Sequence, residues 1–134
     1  MDSAPETGLE WSGDVLAIVG STRFVDPCWR DKAEDAIGEA IAEHRPDVVI
    51  SGGADGIDTF AINYTGALYS IRTHEYLPKH SRWEPEGFKA RNVLIAKACT
   101  RLLAIRCHAS KTYGSGWTAD YAERLGKPVR RVIL

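Results

Sequence analysis

A chain of 134 residues with 44% hydrophobic content can bury a real core without metal or disulfide staples, and it is too short to lead one to expect a second domain. Its 17 basic and 18 acidic residues give a formal net charge of -1, which excludes a general field for nucleic acid and leaves only a local patch for such binding. No apolar run approaches the roughly 18 residues of a membrane span, and the first residues are acidic and polar rather than signal-like. Cys28, Cys99 and Cys107 lack metal-ligand spacing and read as small core thiols of a reducing compartment, so a soluble, cytoplasmic protein without a membrane partner is expected.

Residues 1–13 carry Ser, Pro, Glu, Thr and Gly with no period and read as a flexible arm, with Trp11 pinning its end; residues 14–134 form the expected domain. From Asp14 to Val19 a nearly continuous apolar run predicts a strand covered on both faces, ending in Gly20, Ser21, Thr22 and Arg23. Asp26 and Pro27 open a helix whose stripe is Trp29, Ala33, Ala36, Ile37, Ala40 and Ile41, and Pro46 stops it near His44. The stretch DVVISGGADGID, Asp47 to Asp58, reads as strand, glycine turn and helix start. Glycines there let a ligand approach the backbone, while unpaired N–H groups of the new helix favour an anion.

Ile57, Phe60, Ala61, Tyr64, Ala67 and Leu68 keep helical spacing, and Arg72 to Leu77 alternates as a third strand. A polar loop from Lys79 to Gly87 contains His80, Arg82, Trp83 and Glu84 and is long enough to be functional. Phe88 to Ala98 is helical, with Arg91 and Asn92 near its start. Leu102 to Ile105 is a fourth strand, followed by a loop through Tyr113 to Gly116. Trp117, Tyr121, Ala122 and Leu125 stripe a last helix ended by Gly126, and Val129 to Ile133 closes the chain.

Such β-α alternation predicts an α/β, Rossmann-like fold: a five-stranded, mostly parallel sheet in the order 3-2-1-4-5 with helices on both faces. Ligands then sit beyond the carboxyl ends of the strands, where Gly20 to Arg23, Ser51 to Gly56 and Tyr113 to Thr118 converge. The loops miss GxGxxG and GxxxxGK[ST], which argues against a dinucleotide oxidoreductase and a P-loop motor, and GxSxG is absent. His44, His74, His80 and His108 have no zinc spacing, so neither metal nor cofactor is expected. Trp83, Trp117 and Tyr113 are candidates to stack on a base, with Trp83 and Tyr113 favoured by their polar loops.

VGSTRF, SGGADGID, GFKARNVLIAKAC and GSGWTADYAERLGKPV together resemble the SLOG superfamily of Rossmann-like proteins, over roughly Val15 to Val132. That group includes the DNA-processing protein A family, the LONELY GUY phosphoribohydrolases and small stand-alone bacterial and phage proteins. The resemblance implies a nucleotide pocket. Gly20, Ser21, Thr22 and Arg23 would meet a phosphate or sugar, as would Ser51, Gly52, Gly53, Asp55, Gly56 and the N–H groups ahead of Asp58. Asn92 would join them, and Gly114, Ser115, Gly116 and Thr118 would form the opposite wall. The phosphoribohydrolase branch has PGGxGTxxE and an arginine on the preceding helix; Arg91 matches that arginine, while Asp120 or Tyr121 falls where the glutamate is expected.

Arg91, Asp120 and Asp58 are therefore the candidate catalytic residues. Asp120 in a helix's first turn would also stabilise the dipole by about 0.3 to 1 kcal/mol. Asp58 would repel a bound phosphate, so its expected role is to hold ribose hydroxyls or Arg23. Three functions follow as expectations: a binding module or sensor for a nucleotide or nucleotide-derived ligand, an enzyme acting on the N-glycosidic bond of a nucleoside monophosphate, and a single-stranded DNA-binding module. The resemblance also implies a homo-dimer or larger homo-oligomer.

Overall fold

Alternate residues of the apolar run after Asp14 face opposite layers, and this organises the molecule. The structure, a computed structural model, describes residues 11–22, 24, 26–54, 56–108 and 114–134. Of the arm expected over 1–13, only Trp11, Ser12 and Gly13 are among them. In strand β1 (Val15–Gly20), Val15, Ala17 and Val19 enter one core cluster while Leu16 and Ile18 enter the other. Strand side chains alternate by two, so a strand buried on both sides must be apolar throughout.

The remaining elements are α1 (Trp29–His44), β2 (Val48–Ser51), α2 (Ile57–Tyr69), β3 (Arg72–Glu75), α3 (Phe88–Ala98), β4 (Arg101–Arg106), α4 (Gly114–Arg124) and β5 (Val129–Ile133). All five strands are parallel, in the order β3-β2-β1-β4-β5. Helices α1 and α2 supply Ala33, Ile37, Ile57 and Ala61 to the cluster holding Leu16 and Ile18, and α3 and α4 supply Ile95, Ala96, Ala119 and Ala122 to the other. Each fully buried Leu or Ile contributes roughly 1.5–3 kcal/mol. The edge strands β3 and β5 are partly exposed, which is why they read as RTHE and VRRVI rather than as apolar runs. Among the described residues no helix is long and apolar enough to cross a membrane.

Boundaries depart from expectation where capping decides them. Asp26 accepts the Cys28 amide at 2.8 Å, but α1 begins at Trp29, two residues beyond the expected proline start. Arg45 ends it in a left-handed conformation just before Pro46. Helix α4 begins at Gly114 rather than near Trp117, so Asp120 lies beyond its first turn. At the end of α3, the Lys127 ammonium donates to the carbonyls of Ala96 at 3.2 Å, Lys97 at 2.9 Å and Cys99, closing C-terminal acceptors that the helix leaves open. Trp11 does hold its end of the chain: its indole donates to the Tyr76 hydroxyl at 3.1 Å beside His74.

Cys99 and Cys107 are buried, and burial pushes the Cys99 thiol up to about 11. Cys28 is exposed, contrary to the core position expected for it, because the chain reaches α1 through a surface turn.

Candidate functional site

The turns after β1 and β2 and the start of α4 lie at one rim of the sheet, and a cavity of about 540 Å³ opens between them. Val19 and Gly20 end β1 and Thr22 follows it, Ala54 comes from the turn after β2 and Asp58 from the first turn of α2, and Ser115, Trp117 and Thr118 come from α4. Phe88, Arg91 and Asn92 of α3 and Trp83 of the preceding loop complete the wall. A parallel sheet brings these together because every βα turn leaves by the same rim.

At the floor lies Asp58, which is only 5% exposed. Its Oδ1 accepts the Gly20 amide at 3.2 Å, and the amides of Ala54 and Gly52 also face the carboxylate. Burial pushes its pKa up to about 6, against the opposing pull of Arg91 and those amides. Arg91 is itself buried at 8% exposure. Its guanidinium donates to the Gly52 carbonyl, to the Tyr76 carbonyl at 3.4 Å and, through Nε, to Asn92 Oδ1 at 2.7 Å. A Cβ on Gly52 would stand 2.7 Å from both Arg91 Nη1 and Asp58 Oδ2, so the carboxylate and the guanidinium both border space that only glycine leaves open.

The expected site residues divide. Gly20, Thr22, Asp58, Arg91, Asn92, Ser115 and Thr118 line the cavity. Ser21 and Ser51 do not offer their hydroxyls to it: Ser21 Oγ accepts the Cys107 amide at 3.0 Å, tying β1 to β4, and Ser51 Oγ donates to the Ile18 carbonyl. Both are buried. Gly53 abuts Leu77 and Glu75 instead. Gly56, at φ +82°, lets the Ser21 carbonyl pass where a Cβ would stand 2.4 Å from it. Gly114 opens α4, and Gly116 is exposed with open space around it. Arg23, Asp55 and Tyr113 lie outside the described residues.

Two expectations meet contrary geometry. Two N–H groups at the start of α2 are spent internally, Ile57 on the Ser21 carbonyl at 3.1 Å and Thr59 on the Ala54 carbonyl at 3.1 Å. Asp120 is not brought to the cavity. It sits on the surface, its carboxylate 68% exposed and paired with Arg131 at 2.7 Å.

Trp83 and Trp117 form the aromatic side of the cavity. Trp83 meets Trp117 edge to face at 5.3 Å, and Trp117 stacks on Tyr121 at 5.3 Å. Val19, Ala54 and Phe88 also line the wall; in the sequence they carry nothing beyond their place in a strand, turn or helix start. Among the described residues no cluster of His, Cys, Asp and Glu could hold a metal ion. The chain matches no protein-family model, and no curated protein matches it.

Proposed function

We propose that this cavity binds a nucleotide or nucleotide-derived ligand, and that the protein is a small SLOG-type sensor or binding protein. The observation that carries the reading is the convergence of two strand-end turns, bearing Thr22 and Ala54, and the start of α4, bearing Ser115 and Thr118, on one cavity beside Trp83 and Trp117. A planar base suits the aromatic side, and a phosphate suits the hydroxyls and helix start of α4. Its volume falls within the roughly 300–1,000 Å³ common for small-ligand sites. The resemblance to that superfamily also implies a homo-dimer or larger assembly, which light scattering measures.

A second reading rests on one observation. Asp58 is a buried carboxyl lining the cavity with a pKa of about 6, the range useful to a group that handles protons near neutrality. In that case the protein cleaves or transfers at the N-glycosidic bond of a nucleoside monophosphate. Release of ribose 5-phosphate separates the two readings.

Thermal unfolding in the presence of mononucleotides, signalling nucleotides and NAD fragments tests binding itself. A ligand held at a hundred times its Kd adds about 2.7 kcal/mol, a shift of several degrees in Tm. No shift with any of them, alongside salt-sensitive binding to oligonucleotides, would replace the reading with single-stranded DNA binding.

A further inference from the structure

We infer that Asp58 and Asn92 together select the ribose diol of the ligand, making the site one for ribonucleotides over deoxyribonucleotides. This rests on the nucleotide reading above and fixes which part of the ligand meets the floor.

Asp58 already acts as the anion of the α2 turn. A carboxylate has about four acceptor sites; the Gly20 amide fills one, and the Ala54 and Gly52 amides crowd the same group. With the Ile57 and Thr59 amides taken by the Ser21 and Ala54 carbonyls, a phosphate placed there would find engaged donors and a buried carboxylate. Like charges at close range in a site shielded from water repel strongly. Whatever touches Asp58 from the cavity must therefore donate a hydrogen bond.

Asn92 supplies the complement. Arg91 has donors only, so the atom of Asn92 facing Arg91 Nε at 2.7 Å is the carbonyl oxygen, and the side-chain NH₂ turns away from it. Asn92 is 5% exposed and lines the cavity. One guanidinium thus bears on both residues: it donates to Asn92 through Nε, and its charge acts on Asp58, whose Oδ2 also borders the space a side chain at Gly52 would fill. The cavity lining offers an acceptor, Asp58, and a donor, Asn92, the second held by Arg91. Two neighbouring hydroxyls match it, one donating to Asp58 and the other accepting from Asn92.

Isothermal titration of the full chain with the four ribonucleoside 5′-monophosphates and their 2′-deoxy and 2′,3′-dideoxy counterparts tests the inference. The best-bound ribonucleotide should lose about tenfold or more in affinity when the diol is removed, as expected when a buried charged acceptor loses its partner. The D58N variant should bind the ribo and deoxy forms within about twofold of one another. Should D58N fail to fold, the wild-type series decides alone. Equal affinity for ribo and deoxy forms in the wild type overturns the inference. So does discrimination that survives in D58N, or tighter monophosphate binding by D58N, which would put the phosphate beside residue 58. No binding by any member of the series removes the mononucleotide on which the inference rests and overturns it, and no shift in the wider thermal screen overturns the nucleotide reading itself.

Discussion

The starts of α2 and α4 are built from the same materials, a strand end, glycines and a helix, yet they have opposite electrostatic endings. At α2 the chain brings its own anion: Asp58 sits in the first turn, buried, with the Gly20 amide on it and Arg91 across Gly52. At α4 the first turn holds no acid, and Ser115 and Thr118 face the cavity. A glycine turn leading into a helix is therefore not by itself a phosphate site. What matters is whether the protein has already filled it.

Arg91→Met breaks the α2 arrangement most severely. It leaves the Asp58 charge and the Gly52 and Tyr76 carbonyls without their buried partner, and a loss of about 3–5 kcal/mol is expected in urea unfolding. A loss under about 1 kcal/mol would mean that Asp58 and Arg91 are not one unit.

The pH dependence comes next. The Asp58 pKa is raised in the folded state from 3.8 to about 6, so the folded protein takes up this proton before the unfolded chain does. The stability from this group is fully present below about pH 4 and is lost as pH rises through about 6. Between pH 7 and pH 4 the wild type should gain roughly 2–3 kcal/mol relative to Asp58→Asn, measured by urea unfolding at several pH values. Parallel pH profiles for the two proteins would show that Asp58 titrates as a free carboxyl.

Asp120→Asn should do least. Its pair with Arg131 is exposed, and such pairs contribute about 0–1 kcal/mol. Ligand affinity should stay within about twofold. A larger drop in affinity would bring Asp120 into the site and erase the contrast between the two helix starts.

The layering was legible because it rests on periodicity. Uninterrupted apolar runs at β1 and β4 demand two covered faces, and α3 and β5 fall on the expected residues. The rim was legible for the same reason, since a parallel sheet sends every βα turn to one side. What stayed hidden was the direction of individual side chains. Ser21 and Ser51 look like ligand hydroxyls in sequence, but a serine at a strand end also closes the backbone of its neighbour, and here both do so. Asp120 was misplaced relative to its helix because α4 starts three residues earlier than its apolar stripe suggests. The approach of Arg91 to Gly52 joins residues 39 apart, a distance that no local pattern spans.

Lys127 links the end of α3 to the turn that enters β5. Its ammonium grips the far end of the helix that carries Arg91 and Asn92, while its backbone belongs to the turn entering the last strand. The posture of the cavity's basic wall is thus set in part from the opposite side of the sheet. A change at that distant turn acts on the helix that carries Arg91 and Asn92 without altering a residue that lines the cavity.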